Sequence, residues 1–150
     1  MTGAQAGTGE ERVYDSPIGW VRKHAQRYSE TAGAEGHIMQ GLPNLLLTTR
    51  GRRSGLLRRT PLVYARNGDR YVLIASNGGA PTDPQWYLNL VADPKVRVQV
   101  EGAVFDALAE PITGEQYPHC WRLILDIMPW CAGYPKAAGR HIPLVSLTRR

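Results

Sequence analysis

The sequence predicts an α+β protein, a small β-barrel of about six antiparallel strands with two to three flanking helices. Short strand-like runs dominate the middle of the chain, and turn signals join successive runs. The helical stretches show no βαβ alternation, which argues against a parallel sheet. At 150 residues a single domain is expected, large enough to bury a core without disulfides.

The elements follow in chain order. Residues 1–13 open with Gly, Ala, Thr and Gln and are expected to be a disordered tail, leaving 14–150 as the domain. Ser16 is a candidate helix cap with Pro17 at the first helical position, and Gly33 is a candidate stop. Ile18, Val21, Ala25 and Tyr28 form a 3-4-3 stripe, with Arg22, Lys23, Gln26 and Arg27 mostly off it. Packing on the domain is one reading of this helix. Because Trp20 lies among basic groups, peripheral contact with an anionic membrane surface is the other.

Asn44–Thr49 and Arg59–Arg66 read as strands. Asn67-Gly68 reads as a two-residue turn leading into Arg70–Ser76. The loop Asn77-Gly78-Gly79-Ala80-Pro81 allows backbone to approach a ligand closely. Asp83 as cap and Pro84 in the first turn open a helix over Gln85–Ala92, closed by Asp93-Pro94. Val96, Val98 and Val100 alternate with polar residues in a half-exposed strand, which pairs with Ala103–Glu110 across Glu101-Gly102. Gly114–Met128 reads as a helix with Trp121, Leu125 and Met128 on one face, and His141–Thr148 as the last strand.

The net charge of +5 and pI near 9.5 favour an anionic partner. Cys120 and Cys131 form no C-x-x-C, and the four histidines show no metal-ligand spacing, so no metal is expected. No signal peptide or apolar run near 18 residues is present, which makes a reducing cytoplasm the expected location, with membrane association through the first helix as the alternative reading.

One feature carries more chemistry than the rest. Arg50, Arg52, Arg53, Arg58 and Arg59 fall within ten residues, among Gly51, Gly55 and the hydroxyls of Thr48, Thr49, Ser54 and Thr60. Guanidiniums present rigid forks of donors suited to phosphate and carboxylate, and the glycines permit backbone N–H groups to converge on an anion. Nucleic-acid surfaces usually interleave stacking aromatics with basic groups, and this loop has none, so no nucleic-acid partner is expected. The phosphate-loop, dinucleotide, zinc-protease and nucleophile-elbow motifs are all absent. With no evident strong nucleophile or general base, any chemistry is expected to belong to a bound cofactor.

Four segments in register resemble the deazaflavin-dependent nitroreductase family. They are Thr48–Gly55 continuing through Arg58–Leu62, Ala75–Pro81, Trp86–Val91, and Asp93-Pro94 with Arg140-His141-Ile142-Pro143 near the end. The resemblance spans about residues 14–148. It implies a split β-barrel of the FMN-binding-like type and the deazaflavin coenzyme F420, whose side chain carries a phosphate and a polyglutamate tail. It also implies F420H2-dependent hydride transfer to a quinone, nitro or similar electrophilic acceptor, and split barrels often pair as homodimers. By the same resemblance Arg52, Arg53, Ser54, Arg58 and Arg59 would hold the tail. Thr60, Pro61, Leu62 and Val63 would run beside the ring system. Ile74, Ala75, Ser76 and Asn77 would line its polar edge, with Gln85, Trp86, Tyr87, Leu88 and Asn89 beside it. Ser76 and Tyr134 are the expected catalytic residues, through hydrogen bonding and proton donation. The chain departs from the family at Cys131, where a tyrosine is frequent, at Gly139 for aspartate, at Leu88 for histidine and at Asn77 for lysine. These fall mostly on the acceptor side. A deazaflavin carrier without turnover and an FMN-using oxidoreductase are the alternative readings.

Overall fold

A computed structural model describes residues 11–150. The strands are β1 (Val13–Tyr14), β2 (Ile38–Met39), β3 (Leu42–Arg50), β4 (Leu57–Val63), β5 (Ala65–Asn67), β6 (Arg70–Ile74), β7 (Lys95–Val100), β8 (Ala103–Pro111) and β9 (Leu144–Arg149). The helices are α1 (Gly19–Glu30), α2 (Gln85–Ala92), α3 (Gln116–Ile127) and α4 (Tyr134–Ala138), with 3₁₀ turns at Asn77–Gly79 and Pro129–Gly133. All strands join one sheet in the order β1-β4-β3-β7-β8-β9-β6-β5, with β2 paired to the start of β3. Among the described residues only β1 on β4 is parallel; the other pairings are antiparallel.

The α+β class agrees with expectation, but among the described residues the sheet has nine strands rather than about six and there are four helices. β1 and β5 end the path without pairing to each other, so the described strands close no barrel. Two extra strands, β1 and β2, span two residues each, too short for periodicity to register. The third arises because the expected Arg59–Arg66 strand breaks at Tyr64 into β4 and β5. Residues 1–10 of the expected tail lie outside the described residues, and Val13, the last of that tail, begins β1.

Local signals held in kind and slipped in register. Asn67 pairs with Arg70, so the turn residues are Gly68-Asp69, with Gly68 at φ 64° in the first central position, where a type II′ turn places glycine. Ser16 does not cap α1; its Oγ accepts the Ile18 N–H at 3.1 Å and the helix starts at Gly19. Asp83 does not cap α2, because its carboxylate accepts from Arg140 at 2.6 Å. The buried face of α3 is Cys120 and Ile124, with Met128 below, one residue round from the expected Trp121-Leu125 face. Two apolar stripes lie side by side there, and spacing alone cannot choose between them.

The core explains why β3 is a continuous apolar run: it is covered on both faces. Leu45 and Leu47 join Tyr64, Leu73, Val98 and Val145 on one side, while Leu46 meets Ala25 and Tyr28 of α1 on the other. A further cluster packs Cys120, Ile124 and Met128 against Val72 and Leu144. Ile18 of the expected stripe falls just before α1 and is 57% exposed, and Trp20 on α1 is 70% exposed. No described helix is long and apolar enough to cross a membrane.

Tyr28 ties α1 to the sheet. Its ring is fully buried, its O–H donates to the Asn44 carbonyl at 2.9 Å, and its oxygen accepts the Glu101 N–H at 2.7 Å. Tyr28→Phe takes this donor from the buried Asn44 carbonyl and this acceptor from the part-buried Glu101 N–H, so urea unfolding should show a loss of about 1–3 kcal/mol. Burial pushes the Tyr28 phenol up from 10.0 to about 12. The unfolded chain therefore ionises first as pH rises, and this stability, present in full below pH 10.0, is lost on the way to about 12. The native chain should weaken more steeply than Tyr28→Phe across that window.

Candidate functional site

The arginine loop joins β3 to β4, and it spends its backbone on itself. Gly51 donates to the Leu56 carbonyl at 2.7 Å, Gly55 donates to the Gly51 carbonyl at 2.8 Å, and Leu56 donates to Ser54 Oγ at 3.2 Å. Gly55 has φ 73°, and a Cβ on the buried Gly51 would stand 2.6 Å from Ser54 Oγ, so this tight closure needs glycine at both positions. The Arg52 N–H is taken by Asn89 Oδ1 at 3.2 Å. The expected nest of converging amides is therefore not formed at these positions; the anion-binding capacity lies in side chains.

Those side chains line a groove of about 430 Å³, a size typical of small-molecule sites. One wall is the loop with β4: Arg52, Arg53, Ser54, Arg58, Arg59 and Thr60. A second is α2, where Gln85, Trp86 and Asn89 share a face through their i, i+1 and i+4 spacing. The third, which sequence reasoning missed, is Tyr14, Asp15, Ser16 and Pro17 of the N-terminal segment, with Thr49 and Gly51 completing the lining.

The five arginines do not act alike. Arg50 turns away from the groove, pairing with Glu11 and donating to the Gly55 carbonyl at 2.9 Å; it lines a separate crevice of about 290 Å³. Arg52 is braced by Gln85 Oε1 at 2.9 Å and Asn89 Oδ1 at 3.0 Å. Asn89 is 5% exposed and also donates to Thr49 Oγ1 at 3.4 Å, so it locks loop, helix and strand together. Arg59 sets its fork on Asp15, Nε and Nη2 donating at 2.7 and 2.8 Å. Arg58 lies over the Tyr14 ring, 5.8 Å from its centroid. Among the described residues, Arg53 and Arg58 form no ion pair.

Of the remaining expected site residues, Pro61, Leu62 and Val63 continue β4 away from the arginines. Leu62 packs on one core cluster and Val63 on another, together with Ile74. Tyr87 packs on the core beside Leu90, its ring set edge-on to Trp86 at 6.3 Å, and Leu88 follows it in α2. Ala75 is buried and donates to the Pro143 carbonyl at 2.9 Å.

Tyr134, at the start of α4, lies over the Asn77–Gly79 turn that follows Ser76. Tyr134 lies so close over Gly79, at φ 83°, that a Cβ there would meet its ring at 3.1 Å. Arg140 holds the whole loop: it donates to the carbonyls of Ala80 (3.1 Å), Ser76 (3.2 Å) and Thr82 (3.0 Å) and to Asp83 at 2.6 Å. In the sequence Arg140 stands out only as part of the Arg140-His141-Ile142-Pro143 segment, with no sign of this role. Burial raises the Tyr134 phenol above its ordinary value, with Cys131 beside it, so at neutral pH it is a protonated donor. Burial likewise pushes the Cys131 thiol up to about 11, and Cys120 upward, which leaves both thiols neutral. Gly139 ends α4 at φ 66°, a left-handed cap that suits glycine better than the family's aspartate.

Three of the four histidines are tied into the fold through their rings. His24 Nε2 lies 2.9 Å from the Gly36 carbonyl, His37 Nε2 3.0 Å from the Tyr64 hydroxyl, and His119 Nε2 3.2 Å from Asn67 Oδ1.

The family described as F420H(2)-dependent quinone reductase matches residues 20–149. An F420H(2)-dependent quinone reductase of Mycobacterium tuberculosis strain H37Rv is 38% identical over 134 residues, covering 87% of this chain and 90% of that protein. A solved F420-H2 dependent reductase, FDR-A, superposes with a TM-score of 0.65 at 37% identity, over 70% of this chain and 93% of the other. A chain described as a domain-swapped dimer superposes at 0.68 and 34% identity, over 88% and 99%.

Proposed function

The chain belongs to the F420H(2)-dependent quinone reductase family, and we propose that its arginine groove holds the coenzyme's anionic tail while the Ser76–Tyr134 grouping serves the acceptor. It is an oxidoreductase dependent on F420H2 with a quinone-type acceptor. The observation that carries the groove assignment is the pair of guanidiniums on Arg53 and Arg58 that meet no carboxylate among the described residues. The donor set fits the group: forks for phosphate and carboxylate, Ser54 and Thr60 hydroxyls beside them, and the Trp86 face as an apolar wall.

When bound, reduced F420 supplies a hydride. The chain's own residues do the rest. Asn89 and Gln85 fix Arg52 before a ligand arrives, so less side-chain freedom is lost on binding. Tyr134, protonated at neutral pH, is suited to donate a proton to an acceptor oxygen as negative charge develops there. The Ser76 hydroxyl supplies a hydrogen bond at the same loop. We read the open nine-stranded sheet as a split barrel of the FMN-binding-like type. Pairing of two copies is favoured by the likeness to a chain described as a domain-swapped dimer.

Single-turnover oxidation of bound F420H2 by menadione tests this reading. Native protein should oxidise it well above the protein-free rate. Tyr134→Phe should slow the step about 10²-fold, the low end for a lost general acid, with coenzyme affinity unchanged. Turnover at the protein-free rate would leave a coenzyme carrier as the better description.

The exposed Trp20 on a helix that also bears Arg22, Lys23 and Arg27, with the exposed Ile18 just before its start, favours peripheral contact with anionic lipid. Trp20→Ser should then reduce co-sedimentation with phosphatidylglycerol vesicles, and equal sedimentation of both proteins would end the idea.

A further inference from the structure

We infer that Asp15 is a built-in counter-ion of the groove, competing with an incoming anionic tail for Arg59, so that binding of the tail is coupled to release of the N-terminal segment. The inference rests on the groove assignment above and concerns how that site selects its ligand.

Asp15 is the one carboxylate among the residues lining the groove. It grips Arg59 by both oxygens, and their side chains are only 9% and 20% exposed. A ligand carboxylate needs the same two N–H groups in the same fork geometry. While Asp15 holds them, a tail entering the groove loses one bidentate partner and meets one repelling charge.

The segment that carries Asp15 is weakly anchored apart from its charges. β1 contributes just two paired residues, Val13 on Leu57 and Tyr14 on Arg58. The other ties are Glu11 on Arg50 and the Tyr14 ring between Arg12, at 4.5 Å, and Arg58, at 5.8 Å. Three of the loop's arginines thus double as fasteners for residues 11–15. An anion that draws Arg58 and Arg59 into the groove removes two of these fasteners together.

Asp15→Asn keeps the shape of the clasp and removes its charge. At low salt the variant should bind F420 about tenfold more tightly than the native chain, while the tail-less deazaflavin riboside should bind both equally. Glu11→Gln, which loosens the segment but leaves Asp15 on Arg59, should tighten F420 binding less than Asp15→Asn does. A second readout follows the segment directly. No Lys or Arg precedes Arg12, so tryptic cleavage there releases one distinctive fragment, residues 1–12. F420 should accelerate that cleavage and the riboside should not. Equal or weaker F420 binding by Asp15→Asn, or cleavage slowed by F420, would overturn the inference and make the segment a fixed wall. A γ-linked glutamate oligomer provides the arm independent of the coenzyme. If F420 binds neither protein yet Asp15→Asn strengthens oligomer binding, the functional reading fails and the counter-ion role stands. If the oligomer binding is also unchanged, both fail.

Discussion

The double variant Arg53→Ala/Arg58→Ala should bind F420 about 10²–10⁴-fold more weakly than the native chain, with the tail-less riboside little affected. The estimate takes each charge-assisted hydrogen bond as contributing about 1.5–3 kcal/mol, or roughly 10- to 150-fold, and treats the two as independent. These two guanidiniums are the right targets because no other job holds them in an ion pair among the described residues. Arg50 faces another crevice, Arg59 is clasped by Asp15 and Arg52 is tied to α2. Both side chains are exposed, so truncation should leave the fold intact, and circular dichroism and thermal unfolding should match the native protein. Isothermal titration at two salt concentrations checks the result. The native affinity should fall steeply with added salt, and the variant's should fall less, because screening acts on charges the variant lacks. A loss that is the same for F420 and the riboside would move the ring, rather than the tail, to this end of the groove.

Arg140→Ala should damage the acceptor side as severely, by a different route. The guanidinium bridges three loop carbonyls and Asp83, and its side chain is 16% exposed. Removing it takes the charged donor from the Asp83 carboxylate and the Ala80 carbonyl in a half-buried setting, while the Ser76 and Thr82 carbonyls keep only the Gly79 N–H and the Asn77 amide. Breaking such a pair from one side should destabilise the fold by about 3 kcal/mol. Below the unfolding temperature the Ser76–Asp83 loop should lose its fixed approach to Tyr134. The acceptor rate constant should then drop by at least tenfold while coenzyme affinity, set in the groove, stays near native. Arg140→Lys tests the geometry, since a point charge cannot reproduce the fork, and it should rescue stability partly and rate little. Equal loss of coenzyme affinity and rate in both variants would show that Arg140 only supports the fold.

Much of this chain was legible before any coordinates. α2 begins at Gln85 and ends at Ala92 as read from the sequence, because Pro84 and Asp93-Pro94 bound it on both sides. The Glu101-Gly102 hairpin also appears where expected, with Val100 paired to Ala103. The arginine groove was named by its donors, and Arg52, Arg53, Ser54, Arg58, Arg59, Thr60, Gln85, Trp86 and Asn89 all line it. Elements failed where a local signal had a distant competitor. Asp83 reads as a helix cap, and Arg140 captures it from 57 residues away.

What the sequence by itself determined was chemical inventory and local geometry: which residues carry permanent positive charge, where glycine and proline must interrupt a helix or strand, and that the class is α+β. These depend on side-chain type and short-range sterics, which are the same in any fold. Only the tertiary structure decided which charges are already neutralised. The Asp15–Arg59 clasp joins residues 44 apart, and the Arg52 brace reaches 33 and 37 residues to Gln85 and Asn89. Such pairs have no period and no spacing; they exist because β1 lies beside β4 and α2 packs over the end of β3. Five arginines therefore look equivalent in the sequence, and the fold divides them into two without a carboxylate or amide partner among the described residues and three already held by one.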